Sequence, residues 1–544
     1  MKKILIGLSW PYANGELHIG HVGSSVPADV LARFHRQCGD DVCFVSGSDC
    51  YGTPISIQAQ SMHVSPVEIS NMYHEKFVDI FKKLDFSFEN FFKTTDERHI
   101  NFSQNFHKEL SKTNYIYNKK TMQLHCNNCH RFLPDRYVEG LCPFCKKPAK
   151  GDSCEYCGKI LEAENLLNPK CKICNSEPVL KATEQIYLDL PQLQLQLENF
   201  YDKRKDTWSQ NAQGMTNRYL TEGLRERPIT RNLDWGVPLF GENENSEKRI
   251  YNWAENVLGY LSGCKVYCDN NGKNWLDFWK NKNAKHYYVH AKDNIPFHTI
   301  IFPGLLLANP NEYHLPDTVL SYEYVTMEGE KISKSKGTAL TARELLEEFN
   351  ADFVRYYFAK NINDKKDTNF SFTDFVTSIN GELINNFANF VNRTLSFVKN
   401  KFNGEVKVYE NNVETMELIR SAYEKVATNI QQGKTSTALK NIFELVSYAN
   451  KKFDANAPWQ TIKTDPELCE KQCFEFVTII LNLANMLLPF IPNGACKILE
   501  WMGDIKNEWG VKTFKNNVKL GDFCPLYQRL DMENVKLKFK NYFK

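Results

Sequence analysis

At 544 residues, with 42% hydrophobic and 24% charged residues, the chain is too long for one compact domain and too ordinary in composition for a disordered or fibrous protein. A net charge of +2 excludes a whole-surface electrostatic footprint for nucleic acid, so any RNA contact must come from local patches. Met1-Lys2-Lys3 runs straight into a strand pattern with no leader, so the 17 cysteines are not expected to form disulfides and the expected location is the cytoplasm.

Ile4 to Leu8 is an apolar run with the length of a buried strand, and the segment PYANGELHIGH, Pro11 to His21, leads from it into a predicted helix. Strand, turn and helix in that order make a nucleotide-binding turn on a parallel sheet. Gly15 and Gly20 let backbone approach a nucleotide, while His18 and His21, three apart, share one helical face and can donate to phosphate oxygens. With Val42 to Val45 and the amphipathic stretches between, residues 1–118 read as the first half of a doubly wound, Rossmann-like α/β domain.

Residues 119–228 interrupt that pattern. Four C-x-x-C pairs fall here: Cys126/Cys129, Cys142/Cys145, Cys154/Cys157 and Cys171/Cys174. Zinc takes four thiolates tetrahedrally, so one or two structural Zn²⁺ ions are expected. Among the other cysteines, Cys264/Cys268 and Cys469/Cys473 have the i, i+4 spacing of one helix face, which packing explains.

Strand-like runs resume at His286 to His290 and Thr299 to Phe302, so residues 229–321 read as the second half of a split sheet. Residues 322–377 form a connecting unit with the loop KISKS, in which Lys331 and Lys334, beside Ser333, Ser335 and Gly337, can close over a triphosphate. From 378 to 544 the pattern is almost wholly helical, with Phe387, Phe390, Val391, Thr394 and Leu395 at three- and four-residue steps. Phe474 to Pro492 is interrupted by Glu475, Asn482, Asn485 and Pro489, which suits a buried bundle helix; no membrane partner is expected. Lys536, Lys538, Lys540 and Lys544 read as a solvated tail.

With its HIGH and KISKS signatures in this order, the chain resembles the class I aminoacyl-tRNA synthetases and looks like the methionyl-tRNA synthetase family over nearly its whole length. The resemblance implies activation of L-methionine by ATP, with Mg²⁺, to methionyl-adenylate, then transfer to tRNA(Met). It places Asn14, His18, Gly20 and His21 at the ATP, Lys331 and Lys334 on its β and γ phosphates, and Asp293 beside the ribose. Asp49, in SGSDCYGTP, matches the carboxylate that pairs with the substrate ammonium, and Tyr12, Trp253, Tyr260 and His298 match the wall of the thioether pocket. Asn389, Arg393 and Trp459 match anticodon-reading positions, suited to hydrogen bonding and stacking with splayed CAU bases. The two-zinc version of the family's knuckle groups Cys142, Cys145, Cys154 and Cys157 around one ion and the outer four cysteines around the other. No appended dimerisation domain follows the helical region, so a monomer is expected.

Some positions depart from the family pattern. Asn256 and Val257 replace a frequent alanine and proline, Phe302 a frequent tryptophan, and Asn232 a frequent aspartate. A buried amide without a partner costs about 1 to 3 kcal/mol, so Asn256 needs a partner or must face away from the thioether. A paralogue with altered amino-acid choice stays open on this ground. From a different class, a tRNA-binding regulatory protein that has lost catalysis also stays open, although the undamaged ATP signatures speak against it.

Overall fold

The computed structural model describes every residue except 135–136, 152–153, 155–156, 158–160, 162, 242–246, 333–338, 504–505 and 544. Lys334, Ser333, Ser335 and Gly337 therefore lie outside the described residues, as does the side chain of Lys331.

Strand β1 (Lys3–Leu8) leads through helix α1 (Ile19–Gln37) to β2 (Asp41–Ser48), and helices α2 (Thr53–Met62) and α3 (Pro66–Lys83) precede β3 (Asn90–Lys93) and α4 (Glu97–Leu110). A long antiparallel hairpin of β4 (Ile116–Cys126) and β5 (Val179–Leu188) then leaves the layer, paired from Ile116 opposite Leu188 to His125 opposite Val179. The chain returns through α5 (Gly259–Asn270), β6 (Lys285–Ala291), α6 (Phe302–Ala308) and β7 (Thr318–Tyr322). Five strands form one sheet in the order β7-β6-β1-β2-β3, every neighbouring pair parallel. Leu5 lies opposite Cys43 on one side and His286 on the other, so β1 joins strands from both sides of the insertion. Burial of both faces explains why these strands read as unbroken apolar runs.

One expected strand is helical. Thr299 to Phe302 belongs to a π-helical turn, Phe297–Ile301, that runs directly into α6. A short apolar run has no periodicity to separate a buried strand from a buried helix, and here Pro303 sits in the first turn of α6, where its missing N–H costs nothing. Gly304 lets α6 press on Leu190, whose Cδ2 would lie 2.8 Å from a Cβ there.

Beyond β8 (Val325–Met327), helix α7 (Ala351–Asn361) leads to a bundle of α8 (Asn389–Phe402), α9 (Val413–Gln431), α10 (Thr435–Asn456), α11 (Pro466–Leu487) and α12 (Pro492–Trp501). The polar residues that interrupt the apolar face of α11 tie it down. Asn482 donates to the Thr478 and Lys512 carbonyls at 2.8 and 2.9 Å, and Asn485 donates to the Tyr423 hydroxyl at 2.9 Å. Among the described residues no helix is long and apolar enough to cross a membrane.

A buried ion cluster joins this bundle to the sheet. Arg355 of α7 donates to Asp29 of α1 at 2.7 Å, to the Phe490 carbonyl at 3.0 Å and to the Leu84 carbonyl at 3.1 Å. Asp29 also accepts from Arg33 at 2.8 Å and from the Ser87 N–H and hydroxyl at 2.7 and 2.6 Å. Burial alone would raise the Asp29 carboxyl, but Arg355 and Arg33 outweigh it and hold the group well below the ordinary carboxylate range.

Candidate active site

The carboxyl ends of β1, β2, β6 and β7 open onto a cleft of about 680 Å³, the position where open α/β sheets bind ligands. Tyr12, Asn14, His18, Gly20, His21, Trp253 and Asp293 all line it.

The two signature histidines cap the helix that follows them. His18 is the N-cap residue of α1, and its Nδ1 accepts the Gly20 N–H at 3.1 Å, while His21 Nδ1 accepts the His18 N–H at 3.1 Å. This reciprocal box satisfies N–H groups that a helix start leaves without partners. With Nδ1 accepting, each neutral imidazole carries its proton on Nε2, so the box leaves the two rings as Nε2–H donors at the positive end of a helix. The rings lie 3.9 Å apart, and a Cβ on Gly20 would meet His18 Cε1 at 2.9 Å, so a side chain there would push the His18 ring.

The KISKS segment reaches the same turn. Ile332 lines the cleft, and its Cδ1 lies 3.7 Å from where a Gly20 Cβ would stand. On the far side of residues 333–338, Ile19 donates to the Leu340 carbonyl at 3.1 Å and Ala342 to the Leu17 carbonyl at 2.8 Å. The carboxyl-side flank of the lysine loop is thus bonded to the histidine turn, and Ile332 of the amino-side flank packs beside it.

Asp49 is not on the cleft surface: it is buried at the tip of β2 beneath the lining residues Pro11 and Tyr12, its backbone bonded to that of Pro11 and Ala13 at 2.9 and 2.8 Å. One amide, Asn252 Nδ2, donates to both Asp49 Oδ2, at 3.1 Å, and the Tyr12 hydroxyl, at 2.8 Å. Asn256 is buried near Asp49, and its amide acts to lower that carboxyl. Burial first, and then the nearby Glu255, raise the Asp49 carboxyl well above its ordinary value. Asp49 caps no helix, since α2 begins after Gly52.

Trp253 meets Tyr12 edge-on at 6.1 Å and stacks on Phe297 at 3.7 Å. Tyr260 and His298 are not on the cleft surface: both are buried, bonded to each other at 2.8 Å, with Tyr260 packed over Gly7 and His298 over His290. Phe302 packs on Tyr260 and Tyr288, and Asn232 accepts from Thr183 and Gln185 outside the cleft. The roles of Asn252 and Phe297 carry no sequence signature, because their partners are distant in the chain.

The β4–β5 hairpin carries two sulfur clusters. Cys126, Cys129, Cys171 and Cys174 form one, and Cys142, Cys145, Cys154 and Cys157 the other, with the ligand atoms of each within 4.8 Å of one another. Sulfur pairs stand 3.4 and 3.9 Å apart in the first and 3.8 and 3.5 Å in the second. Tetrahedral zinc with bonds near 2.3 Å holds its sulfurs about 3.8 Å apart, so both tetrads fit the ion, in the grouping that the resemblance implies.

A family model described as tRNA synthetases class I (M) matches residues 4–395, and one described as the anticodon binding domain of methionyl tRNA ligase matches residues 400–522. The chain belongs to the methionyl class I tRNA synthetases. It is 43% identical over 532 residues to methionine–tRNA ligase 1 of Alkaliphilus oremlandii, covering 97% of each chain. Its identity to methionine–tRNA ligase of Bacillus mycoides is 41% over 536 residues, 98% of each. Its fold is similar to that of Mycobacterium tuberculosis methionyl-tRNA synthetase in complex with methionyl-adenylate, with a TM-score of 0.80 at 22% identity, covering 97% of this chain and 100% of the other.

In this methionyl synthetase two of the three expected anticodon residues, Arg393 and Trp459, meet at Phe453. The Arg393 guanidinium lies 4.3 Å from the Phe453 ring centroid, bonded to Asp454 at 2.8 Å and Asn450 at 2.9 Å. Trp459 is 45% exposed, with its ring 6.1 Å from Phe453. Asn389 is exposed one turn before Arg393 on α8. Trp459 sits in a short helix, Pro458–Thr464, that starts after Ala457 at φ 40°, where the sequence suggests a plain turn.

Proposed function

We propose that this chain is a methionine–tRNA ligase, forming methionyl-adenylate and pyrophosphate from L-methionine and ATP and passing methionine to the 3′ end of tRNA(Met). The observation that carries this reading is one cleft lined by the capped histidine turn and by Ile332 of the lysine loop, with a buried carboxylate bonded to its lining residue Asn252. The methionine carboxylate attacks the α-phosphorus, and the Pα–O bond to pyrophosphate breaks with its electron pair. The reaction needs placement and charge stabilisation, with no protein nucleophile. His18 and His21 donate from Nε2 to phosphate oxygens, Asn14 and Gly20 hold the nucleotide, and Asp293 accepts the ribose hydroxyls. Lys331 and Lys334 neutralise the leaving β and γ phosphates, with Mg²⁺ arriving on the ATP.

Asp49 receives the substrate ammonium, Tyr12 and Trp253 flank the side chain, and the Tyr260–His298 pair backs the pocket for the thioether. Zinc at the two tetrads stiffens the hairpin and takes no part in the chemistry. Asn389, Arg393 and Trp459 read the anticodon, and one chain suffices, working in the cytoplasm. Residues 1–118 and 229–321 are the catalytic domain, 119–228 its insertion, 322–377 the connecting unit and 378–544 the tRNA-reading bundle. Pyrophosphate exchange with each standard amino acid tests the activation step; a better response to any amino acid other than methionine contradicts it.

Two further results follow from the residues. Trp459→Ala raises the KM for tRNA about 5- to 100-fold, the loss of one stacked base, with no matching rise in the KM for methionine. The Asp49 carboxyl is raised above its ordinary value in the free protein, whereas an ammonium favours its ionised form. Below that raised value methionine binding is linked to loss of a proton, so affinity rises with pH through the window and then levels. Calorimetry in two buffers of different ionisation enthalpy reads that proton.

A further inference from the structure

Glu255, on the short helix that carries Asn252 and Trp253, is fully buried and has no part in the steps above. Its Oε2 meets His99 Nε2 at 2.6 Å, while its Oε1 has no hydrogen-bond partner. His99, equally buried on α4, meets the Ser262 hydroxyl at 2.8 Å through Nδ1, and Ser262 donates to the Gly259 carbonyl at 3.4 Å. Among the described residues His99 is the one ion-pair partner of Glu255.

A single proton completes this chain. Placed on Glu255 Oε2 it is donated to His99 Nε2, the His99 Nδ1–H goes to Ser262, and the Ser262 hydroxyl goes to Gly259. Moved across the 2.6 Å contact to Nε2 it gives imidazolium and carboxylate on the same atoms. Either way the pair has no net charge, as deep burial demands. Burial raises the Glu255 carboxyl and lowers His99 to about 3, the latter against a small opposing pull from Asp96. Glu255 lies three residues after Asn252 on the same short helix, and the Asn252 amide donates to Asp49 at 3.1 Å, which makes the two carboxyl groups neighbours.

We propose that the Ser262–His99–Glu255 relay is a positioning device for the substrate ammonium. It turns the Glu255 proton away from Asp49 and keeps the pair neutral, so that Asp49 alone answers the single positive charge of the amino acid. Without His99 the Glu255 hydroxyl loses its acceptor, turns toward the neighbouring Asp49 and competes with the substrate. This inference rests on the methionine ligase reading.

The test measures methionine dissociation constants by calorimetry, and KM and kcat by pyrophosphate exchange, on the full chain. His99→Leu weakens methionine binding and raises its KM about tenfold, while kcat and the KM for ATP move less than about threefold. Adding Glu255→Leu to that variant removes the competing hydroxyl and recovers at least half of the lost affinity, measured as log Kd. Ser262→Ala, a gentler change that needs no refilling of the core, raises the methionine KM about threefold in the same direction.

A double variant as weak as or weaker than His99→Leu assigns the cluster to packing and overturns the relay. Wild-type methionine binding in His99→Leu overturns it too. If His99→Leu does not fold, unchanged methionine binding in Ser262→Ala is the overturning result. Wild-type protein that neither binds methionine nor exchanges pyrophosphate with it overturns the ligase reading first and the relay with it, an outcome distinct from the others.

Discussion

Asp49→Asn lowers kcat/KM for methionine in pyrophosphate exchange by about two to three orders of magnitude, while the KM for ATP stays within about threefold. The substitution keeps the shape and removes the charge. It also turns an acceptor into a partial donor facing two donors, since the Asn252 amide and the Tyr51 N–H both point at this carboxylate. An ammonium brought into a buried site with no anion to meet it loses about 3 to 4 kcal/mol, the usual cost of truncating one partner of a desolvated charge pair. The nucleotide end is fastened separately through Leu17, Ile19 and Gly20, which is why ATP binding is spared. A fall of less than tenfold would show that the ammonium is held elsewhere.

Asp29→Ala gives the largest loss of stability expected of any single change, about 3 to 5 kcal/mol, and a clear drop in the urea midpoint. It strands Arg355, which is fully buried and turns its remaining donors to the Phe490, Pro489 and Leu84 carbonyls. It also removes the acceptor of Ser87. Because the Asp29 carboxyl is lowered in the folded protein, its contribution is complete above the ordinary carboxylate pKa and disappears as pH falls through the lowered value. The midpoints of wild type and variant therefore differ most near neutrality and converge only in strong acid. Equal midpoints at pH 7 would contradict the assignment.

How much of this was legible before the coordinates depends on the distance between partners. The histidine turn and the C-x-x-C pairs are readable because their chemistry is local: His18 and His21 cap one helix, and each cysteine pair makes one turn. The strand β1 is readable because it is buried on both faces. Thr299 to Phe302 misleads because four apolar residues suit a buried π turn as well as a strand. Asn256 poses a question that spacing alone leaves open, and the fold buries it near Asp49. Glu255 and His99 are 156 residues apart, and Asn252 and Tyr12 are 240 apart, so no periodicity or spacing announces either contact. Tyr260 and His298 sit in register with family motifs, yet they prove to be a hydrogen-bonded pair behind the cleft surface.

The sulfur clusters are concentric. Cys142 to Cys157 lie wholly between Cys129 and Cys171, and the outer tetrad closes directly on the end of the β4–β5 ladder, where His125 faces Val179. The inner segment is nonetheless built into the outer one, since Val138 pairs with Cys171 and cysteines of both tetrads share one small core on which Ile57 packs, so the two sites brace a single body that reaches the cleft through Pro134.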